Sequence, residues 1–159
     1  MLTVVIPAYN AQDYIDRAVT SVRGFDGVEV LIVDDGSHDK TAQIADEWVA
    51  RDPEHIRVIH QENAGHGGAV NAGIASARGR YLKILDADDW LDRLALKRAL
   101  ERLALREEQG EPLDLLVANY VYEKQGKSHK AVIRYGNVIP RDRVVSWDEV
   151  KRCRYDQYL

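Results

Sequence analysis

The chain has 159 residues, 45% of them hydrophobic and 30% charged, which suits one compact domain. Its 22 basic and 26 acidic residues give a formal net charge of -4, and no basic stripe with interleaved aromatic residues occurs, which argues against a nucleic acid partner. The apolar runs are too short for a membrane span, the start MLTVVIPAYN has no basic signal-peptide region, and the only cysteine, Cys153, permits no internal disulfide, so we expect a cytoplasmic protein.

Three segments in the first half of the chain share one pattern, in which an apolar strand is followed by a polar turn and an amphipathic helix. LTVVIPAYN predicts a strand that Pro7 ends, followed by a helix that Asn10 or Asp13 caps and that Gly24 terminates. VEVLIVDDGS predicts the second strand and KTAQIADEWVARD its helix. IRVIHQ predicts the third strand, ENAGHGG a loop, and AVNAGIASAR a helix that ends at Gly79.

A fourth repeat follows, and after it the pattern changes. RYLKILDADD predicts a strand with Tyr81, Leu82, Ile84 and Leu85 in the core, and WLDRLALKRALERLALREEQG predicts a long helix closed by Gly110. LDLLVANYVYE predicts a fifth strand, and the residues beyond 120 combine short β-like pieces with a helix capped by Ser146. Strands that are apolar on both faces and alternate with helices indicate an α/β fold with a mostly parallel sheet covered on both sides.

Acidic residues follow two of the predicted strands at the point where each strand ends. Asp34 and Asp35 come after the second strand, and Asp86 and Asp88 come after the fourth. In an open parallel sheet, ligands bind outside the carboxyl ends of the strands. We therefore expect these four carboxylates to share one edge of the sheet.

The segment DADD has two interpretations. Asp88 or Asp89 could cap the following helix, which needs one carboxylate. Asp86 and Asp88, two residues apart at a strand end, would repel each other without a cation, and paired hard oxygen ligands suit Mg²⁺ or Mn²⁺ shared with a phosphate substrate. By itself the pattern leaves capping and metal binding open.

Two further segments, VDDGS and NAGHGGAVNAG, also have structural alternatives. Asp-Gly is common in turns, and Ser37 or Asp39 could cap the next helix, although a carboxylate there could also accept a hydrogen bond from an imide N–H such as that of uracil. The glycine-rich segment matches neither a phosphate loop nor G-x-G-x-x-G, and indicates close backbone approach to a neighbour or a ligand, with Asn71 facing the edge. His66 within it is interpreted as a surface residue or a ligand contact.

Together these motifs resemble, in order and spacing, the nucleotide-sugar-dependent glycosyltransferases of family 2, which have the GT-A fold. The segments that carry the resemblance are TVVIPAYNAQDYIDRAVTSV, VEVLIVDDGSHDKTAQIA and NAGHGGAVNAGIASARGRYLKILDADDWL, within residues 2 to about 105. The resemblance implies a GT-A, Rossmann-like, mostly parallel sheet with helices on both faces. It implies a nucleotide-sugar-binding core over residues 1–120 and, over 121–159, the start of the acceptor-side region of a longer enzyme.

The resemblance also implies roles for individual residues. Asp88 would be the main ligand of a Mn²⁺ or Mg²⁺ ion that bridges the donor diphosphate, Asp86 would lie by the metal and the donor sugar or ribose, and Asp89 would support the helix start. Asp35 would accept a hydrogen bond from the base N3–H. Further implied contacts to the nucleotide sugar are Pro7, Ala8, Tyr9, Asp34, Asn63, Gly65, Asn71 and Ala87.

The implied reaction is transfer of a sugar, with inversion, from a nucleotide-sugar donor to an acceptor hydroxyl. A UDP-sugar is favoured as donor, and a saccharide or lipid-linked acceptor in cell-envelope polysaccharide synthesis is expected, which would allow peripheral attachment at the inner face of the cell membrane. The family's general base has no recognisable match, so the catalytic residue is unknown. The carboxylates Asp142, Asp148, Glu149 and Asp156 are the candidates.

Other protein classes with a parallel sheet and clustered acids fit less well. A phosphoacceptor receiver domain or a haloacid-dehalogenase-type phosphatase would carry its acid pair after the first strand, where this chain has Pro7-Ala8-Tyr9. A nucleotidyltransferase would need a basic glycine-rich loop in the same place, and PAYNAQ has no basic residue. A non-catalytic nucleotide-sugar-binding module is the alternative that the sequence leaves open.

Overall fold

The structure, a computed structural model, describes residues 2–123, 130–137, 139–140 and 143–150. The chain divides into two compact units between Glu111 and Pro112. In the first unit strands and helices alternate, as predicted. The strands are β1 Leu2–Ala8, β2 Val28–Asp34, β3 Ile56–His60 and β4 Tyr81–Ile84, and the helices are α1 Ile15–Val22, α2 Thr41–Arg51, α3 Gly65–Ser76 and α4 Arg93–Glu108.

The four strands of the first unit form one parallel sheet in the order β3-β2-β1-β4. β1 pairs with β2 over its whole length, from Leu2 opposite Val28 to Ala8 opposite Asp34. Every residue of β1 and β2 is buried, because both faces of the sheet are covered. The parallel direction brings the carboxyl ends of all four strands to the same edge, which we call the rim.

Each face of the sheet packs against its own helices. On one face, Val4 and Ile32 belong to a core that also contains Val19 of α1, Trp48 of α2 and Leu96 of α4. On the other face, residues of β1 and β2 pack against Ala69 of α3; they are Val5, Leu31 and Val33. The predicted α/β fold with helices on both faces is therefore confirmed.

The prediction that Pro7 ends the first strand was wrong, because β1 continues to Ala8. Proline has no N–H to donate, so it is tolerated where no partner strand needs that bond. The pairing of β1 with β4 stops at Val5, whereas its pairing with β2 continues through Pro7 and Ala8. The Val5 carbonyl accepts from the Leu85 N–H on the β4 side, and the Ala8 carbonyl accepts from the Asp35 N–H on the β2 side. Because the backbone groups of successive residues in a strand point to opposite sides, those of Pro7 point to the side where β4 no longer pairs.

Three predicted helix ends also differ from those observed. α1 begins only at Ile15, and neither Asn10 nor Asp13 caps it; Tyr14 precedes it without a side-chain cap. α3 begins at Gly65 and ends at Ser76, so the glycine-rich stretch lies inside the helix and Gly79 lies beyond its end. Propensity favours glycine outside helices, and tertiary packing overrides it here.

The end of α4 agrees with the prediction. Gly110 follows the helix with a positive φ of 73°, and its N–H donates to the carbonyl of Glu107 at 3.0 Å. The next N–H, of Glu111, donates to the carbonyl of Arg106 at 2.9 Å, which completes the usual glycine-dependent helix ending. No helix in the described ranges of the chain is both long and apolar enough to cross a membrane.

The predicted fifth strand was wrong for most of its length. Only Tyr120–Tyr122 is extended, as β5, and it pairs antiparallel with β6 Ala131–Ile133 in a separate two-stranded sheet. β4 is less buried than predicted: Leu85 is in the core, but Leu82 is 42% exposed. Its position at the edge of the described sheet explains this, because an edge strand has a neighbour on one side only. Ser146 precedes a 3-10 turn, Trp147–Glu149, with a capping box.

Gly79 is explained by close approach to β1 and not by helix termination. Its N–H donates to the Thr3 hydroxyl at 2.7 Å, and that hydroxyl donates to the buried Glu29 carboxylate at 2.6 Å. A Cβ built on Gly79 would collide with the backbone nitrogen of Thr3 and lie 2.7 Å from its Oγ1. The chain entering β4 therefore touches β1 at a place where only glycine fits.

We predict that Gly79→Ala lowers the free energy of unfolding by about 1–3 kcal/mol, because overpacking against backbone cannot be relieved by a rotamer change. The matched control is Gly67→Ala in α3, where a Cβ meets nothing within 4 Å. Alanine should stabilise that helix by up to about 1 kcal/mol. Urea unfolding of both variants checks the prediction, and a loss at Gly79 no larger than the change at Gly67 would contradict it.

Candidate functional site

The rim carries the turns that follow the four strands of the first unit. β1 ends at Ala8 and β2 at Asp34, so the residues after them start side by side, in register. β3 ends at His60, opposite Asp34, and β4 ends at Ile84, opposite Val5. The predicted assembly of these turns at one edge is confirmed.

The turns after β1 and β2 are bonded to each other by backbone-to-side-chain hydrogen bonds in both directions. Asn10, with a positive φ of 50°, accepts from the N–H of His38 at 2.8 Å through Oδ1, and its own N–H donates to Ser37 Oγ at 3.0 Å. The other bonds are Ala11 N–H to Thr41 Oγ1, Gln12 N–H to Asp39 Oδ2, and Lys40 N–H to Gln12 Oε1. The polar residues that looked like helix caps therefore fix the two turns as one block.

Tyr9 is the residue of Pro7-Ala8-Tyr9 that offers a side chain to the rim. Pro7 and Ala8 are buried in β1, whereas the Tyr9 ring is 48% exposed. It meets the ring of His38 edge to face, with 6.4 Å between centroids. An exposed aromatic face with a fixed neighbour is a surface on which a planar base can stack.

Asp35 is buried, 2% exposed, and acts on the start of α3. Its Oδ1 accepts from the N–H of Ala64 at 2.8 Å and from Gln61 Nε2 at 2.7 Å. Burial opposes ionisation, but these hydrogen bonds, with a further one from the Gly65 N–H, outweigh it and hold the pKa of Asp35 below its usual value. Asp35 is therefore a buried carboxylate at the N-terminus of a helix that lacks a side-chain cap of its own.

Asp34 is equally buried and stabilises the neighbouring turn. Its Oδ1 accepts from the Ser37 N–H at 3.2 Å, and its Oδ2 lies 3.0 Å from His60 Nδ1. His60 Nε2 lies 3.0 Å from Asp46 of α2. The hydrogen bond to Asp34 raises the pKa of His60 above its usual value, with a smaller contribution from Asp46 and against the effect of burial.

A cavity of about 540 Å³ opens between the turns after β2 and β3. It is lined by Gly36, Ser37, His38, His60, Gln61, Glu62 and Asn63. Gly36 is required there for two reasons: its φ is +72°, and a Cβ would lie 2.9 Å from the Asn63 nitrogen. Asn63 Oδ1 accepts from the Gly65 N–H at 3.3 Å, and Asn71 is exposed further along α3.

The turn after β4 contains one carboxylate that caps a helix and others that do not. Asp92 precedes α4 and accepts from the Ala95 N–H at 2.7 Å, so the capping alternative for Asp88 or Asp89 is not what the structure shows. Alternation buries Ala87 in the core and leaves Asp86 and Asp88 exposed on the rim. Burial, and then the charges of Asp88 and Asp86, raise the pKa of Asp89, against the opposing effect of Lys83. Three carboxylates thus lie close enough together to repel.

The segment after these acids is anchored on α1, which sequence analysis did not predict. Ser21 Oγ accepts from the Leu91 N–H at 3.1 Å, and the Arg17 guanidinium lies 3.1 Å from the centroid of a Trp90 ring. Arg93 Nη1 donates to the carbonyls of Thr20 and Arg23 at 2.8 and 2.9 Å, at the end of α1. Sequence reasoning could not predict this contact, because the arginine and the carbonyls at the end of α1 are about 70 residues apart and meet only in the fold.

His66 is the residue of the glycine-rich segment that the sequence interpreted as either a surface residue or a ligand contact. It lies in the first turn of α3, and its Nε2 is 3.0 Å from Asp86 Oδ1. Within the described residues, no group of three or more histidine, cysteine and acidic side chains is arranged as a ready-made metal site. Two exposed carboxylates two residues apart nevertheless fit a Mg²⁺ or Mn²⁺ ion that takes its other ligands from phosphate and water.

The candidate general bases lie in the second unit or outside the described residues. Glu149 accepts from the backbone N–H and the hydroxyl of Ser146, and pairs with Arg143 at 3.2 Å. The hydrogen bond from the Ser146 N–H, with smaller contributions from Arg143, lowers the pKa of Glu149 against the opposing effect of burial. Asp148 shares the same 3-10 turn. Asp142 and Asp156 lie outside the described residues.

Comparison with known proteins gives one family. The family model described as glycosyl transferase family 2 matches residues 3–141. The succinoglycan biosynthesis protein ExoO of Rhizobium meliloti (strain 1021) is 42% identical over 103 residues, which are 64% of this chain and 29% of ExoO.

Two solved structures are similar in fold to about two thirds of the chain. S. aureus TarS 1-349 in complex with UDP-GlcNAc has a TM-score of 0.59 and 28% identity, over 67% of this chain and 32% of that one. The mannosyltransferase PcManGT from Pyrobaculum calidifontis, in complex with GDP-Man and Mn²⁺, has a TM-score of 0.57 and 29% identity, over 65% and 32%. The chain thus spans about a third of the length of these proteins. With the family match over most of its residues, the chain belongs to glycosyl transferase family 2 and has the GT-A fold.

Proposed function

We propose that this chain binds a nucleotide sugar and a divalent cation, Mn²⁺ or Mg²⁺, as the donor-binding part of an inverting glycosyltransferase. The enzyme would move the sugar from a nucleoside diphosphate to an acceptor hydroxyl. The observation that carries the proposal is the turn after β4, where Asp86 and Asp88 face the rim without a structural role as helix caps. Family membership and the ligands named for TarS and PcManGT support it.

The geometry suggests how a donor would lie along the rim. The base would stack on Tyr9 beside the cavity after β2 and β3, with its imide N–H directed at Asp35. Asn63, Gly65 and Asn71, with the buried Asp34 behind them, would shape the nucleotide end. The diphosphate would then run along the rim toward the acids after β4.

The cation would be held by Asp88, with Asp86 beside it. When bound, a divalent cation supplies positive charge that offsets the charge developing on the leaving nucleoside diphosphate. The chain's own part is to hold the two carboxylates, with Ala87 buried between them, at a fixed distance from the nucleotide end. A carboxylate of the acceptor side would take the proton from the attacking hydroxyl, and Asp142, Asp148, Glu149 and Asp156 are the candidates.

The same proposal extends to the substrates and the location of the protein. A UDP-sugar is favoured, since TarS is described with UDP-GlcNAc, although PcManGT is described with GDP-Man. A saccharide or lipid-linked acceptor in cell-envelope polysaccharide synthesis agrees with the name of ExoO. Synthesis from cytoplasmic nucleotide sugars would place the protein in the cytoplasm, with peripheral attachment at the inner face of the cell membrane.

We predict that Asp88→Asn removes the metal-dependent part of UDP binding. Removing one charged side chain from the metal site weakens binding of the cation. A molecule that binds only the folded state stabilises that state by about 2.7 kcal/mol at a hundredfold excess over its Kd. In calorimetry and thermal unfolding, Mn²⁺ should increase the effect of UDP on the native protein, EDTA should abolish that increase, and the variant should lack it.

The matched control for Asp88 is Asp26→Asn, which neutralises an exposed aspartate in the turn before β2, away from the rim. It should bind UDP with the same metal dependence as the native protein. Equal UDP affinity with and without Mn²⁺ in the native protein would show that the proposed metal-linked site is wrong.

A second prediction concerns recognition of the base by Asp35. Asp35→Asn keeps an oxygen that can accept from the Ala64 N–H, but replaces the charged oxygen by an NH₂ that cannot accept from the base. UDP affinity should fall about tenfold or more, since a hydrogen bond to a charged group is worth roughly 1.5–3 kcal/mol.

The control for Asp35 is the ligand itself. Affinity for inorganic pyrophosphate with Mn²⁺ should stay the same in the Asp35→Asn variant, because pyrophosphate has no base. An equal loss for UDP and pyrophosphate would assign Asp35 to the structure of the α3 start alone.

A third prediction separates an enzyme from a non-catalytic nucleotide-sugar-binding module. Residues 1–159 should bind donor but should not transfer sugar at a useful rate, because general-base help contributes about 10²–10⁴-fold and no carboxylate in the sequence is recognisable as the family's base. Release of UDP from donor and formation of glycosylated product are measured with Mn²⁺. Transfer that Asp148→Asn or Glu149→Gln abolishes would contradict the prediction and locate the base in this chain.

A further inference from the structure

His66 connects two parts of the rim that lie at opposite ends of the sheet order. It stands in the first turn of α3, which starts close to the end of β3, whereas its partner Asp86 follows β4. The Nε2 atom of His66 lies 3.0 Å from Oδ1 of Asp86, and the two side chains are 63% and 54% exposed. An α3 side chain therefore reaches over the ends of β1 and β2 to the acids.

The starting point of this contact is itself fixed. Asp35 accepts from the Ala64 N–H and so holds the chain directly before α3. Gly36 approaches Asn63 so closely that a side chain at Gly36 would displace it. On the same helix, the Cβ that Gly73 lacks would collide with Val5 of β1, so α3 sits as near to the sheet as its backbone allows. The place of His66 relative to the rim is thus set by packing and not by its own exposed contact.

We propose that His66 is a positioning residue: its Nε2–H holds Asp86 in the orientation used when the cation and the donor diphosphate bind. This inference rests on the proposed function. Asp86 and Asp88 would repel each other and turn apart when no cation is present, and an exposed aspartate has several rotamers available. A donor on Oδ1 fixes the carboxylate and leaves Oδ2 available, so that less orientational freedom is lost on binding. Both the neutral Nε2–H tautomer and the imidazolium can donate this bond.

The test is calorimetry of UDP binding with and without Mn²⁺ on the native chain and its variants. His66→Ala should weaken UDP binding about fivefold when Mn²⁺ is present, in the range expected for an exposed charge-assisted contact, and should change metal-free binding by less than about twofold. His66→Gln, whose amide can donate to Asp86, should recover most of the loss. The matched control is His55→Ala, which removes an exposed histidine bonded to Asp52 next to β3 and should leave UDP binding unchanged.

A double-mutant cycle identifies the partner. In an Asp86→Ala background, His66→Ala should have an effect on Mn²⁺-dependent binding of less than about twofold, because the acceptor of the contact it removes is already lost. A merely structural role would instead lower the midpoint of thermal unfolding in both backgrounds, which overturns the proposal. An equal loss with and without Mn²⁺ also overturns it, since that result assigns His66 to direct contact with the diphosphate.

Failure of the inference is distinguishable from failure of the proposed function. If the native chain binds UDP without any effect of Mn²⁺, the metal-linked site itself is wrong, and with it the role of His66. If the native chain shows the metal effect and His66→Ala keeps it in full, His66 is not a positioning residue and the metal-linked site stands.

Discussion

The parallel pairing of β1 with β2 on one side and β4 on the other is the constraint on which the rest of the structure depends. Because the strands run in one direction, their carboxyl ends and the turns after them meet at one rim. Because β1 and β2 are buried on both faces, the ends of these strands are the positions where the chain can place polar groups next to the core. Asp34 and Asp35 stand at the end of β2, and Asp86 and Asp88 follow β4 at the same rim.

The acids of the rim fall into two kinds with different electrostatics. Asp34 and Asp35 are buried, and each accepts hydrogen bonds that hold a turn or a helix start. Asp86, Asp88 and Asp89 are exposed acids of one turn, and partial burial, followed by the charges of Asp88 and Asp86, raises the pKa of Asp89. In the proposed site, the first kind would fix the shape of the nucleotide end, and the second would provide negative charge for a divalent cation to neutralise.

The order of strands and helices could be predicted because it depends on the local periodicity of apolar residues. The ends of the elements were harder, since the partners that determine them are distant in sequence. Asn10 reaches the turn after β2 instead of capping α1, and Asp92 takes the capping role that Asp88 and Asp89 could equally have had. The fifth strand failed for the same reason: LDLLVANYVYE has β propensity, but a strand forms only where a partner is available, and Tyr120–Tyr122 finds it in Ala131–Ile133.

The candidate site was predictable as a set of acids and unpredictable as a set of contacts. Spacing at strand ends placed Asp35 and Asp86 on one rim, but nothing in the sequence joined His66 to Asp86 or Arg93 to the end of α1. Those contacts tie the acid turn to α3 on one side and to α1 on the other. In the proposed site, such ties would hold the two carboxylates in place against their mutual repulsion.

The most direct test is an anomalous difference map from crystals of this chain soaked with UDP and MnCl₂. The account predicts one manganese peak within coordination distance of Asp88 and of the diphosphate, with the uracil ring on Tyr9 and its imide nitrogen directed at Asp35. A nucleotide bound with its base away from Tyr9 and Asp35, or a diphosphate with no manganese between it and Asp88, would contradict the account.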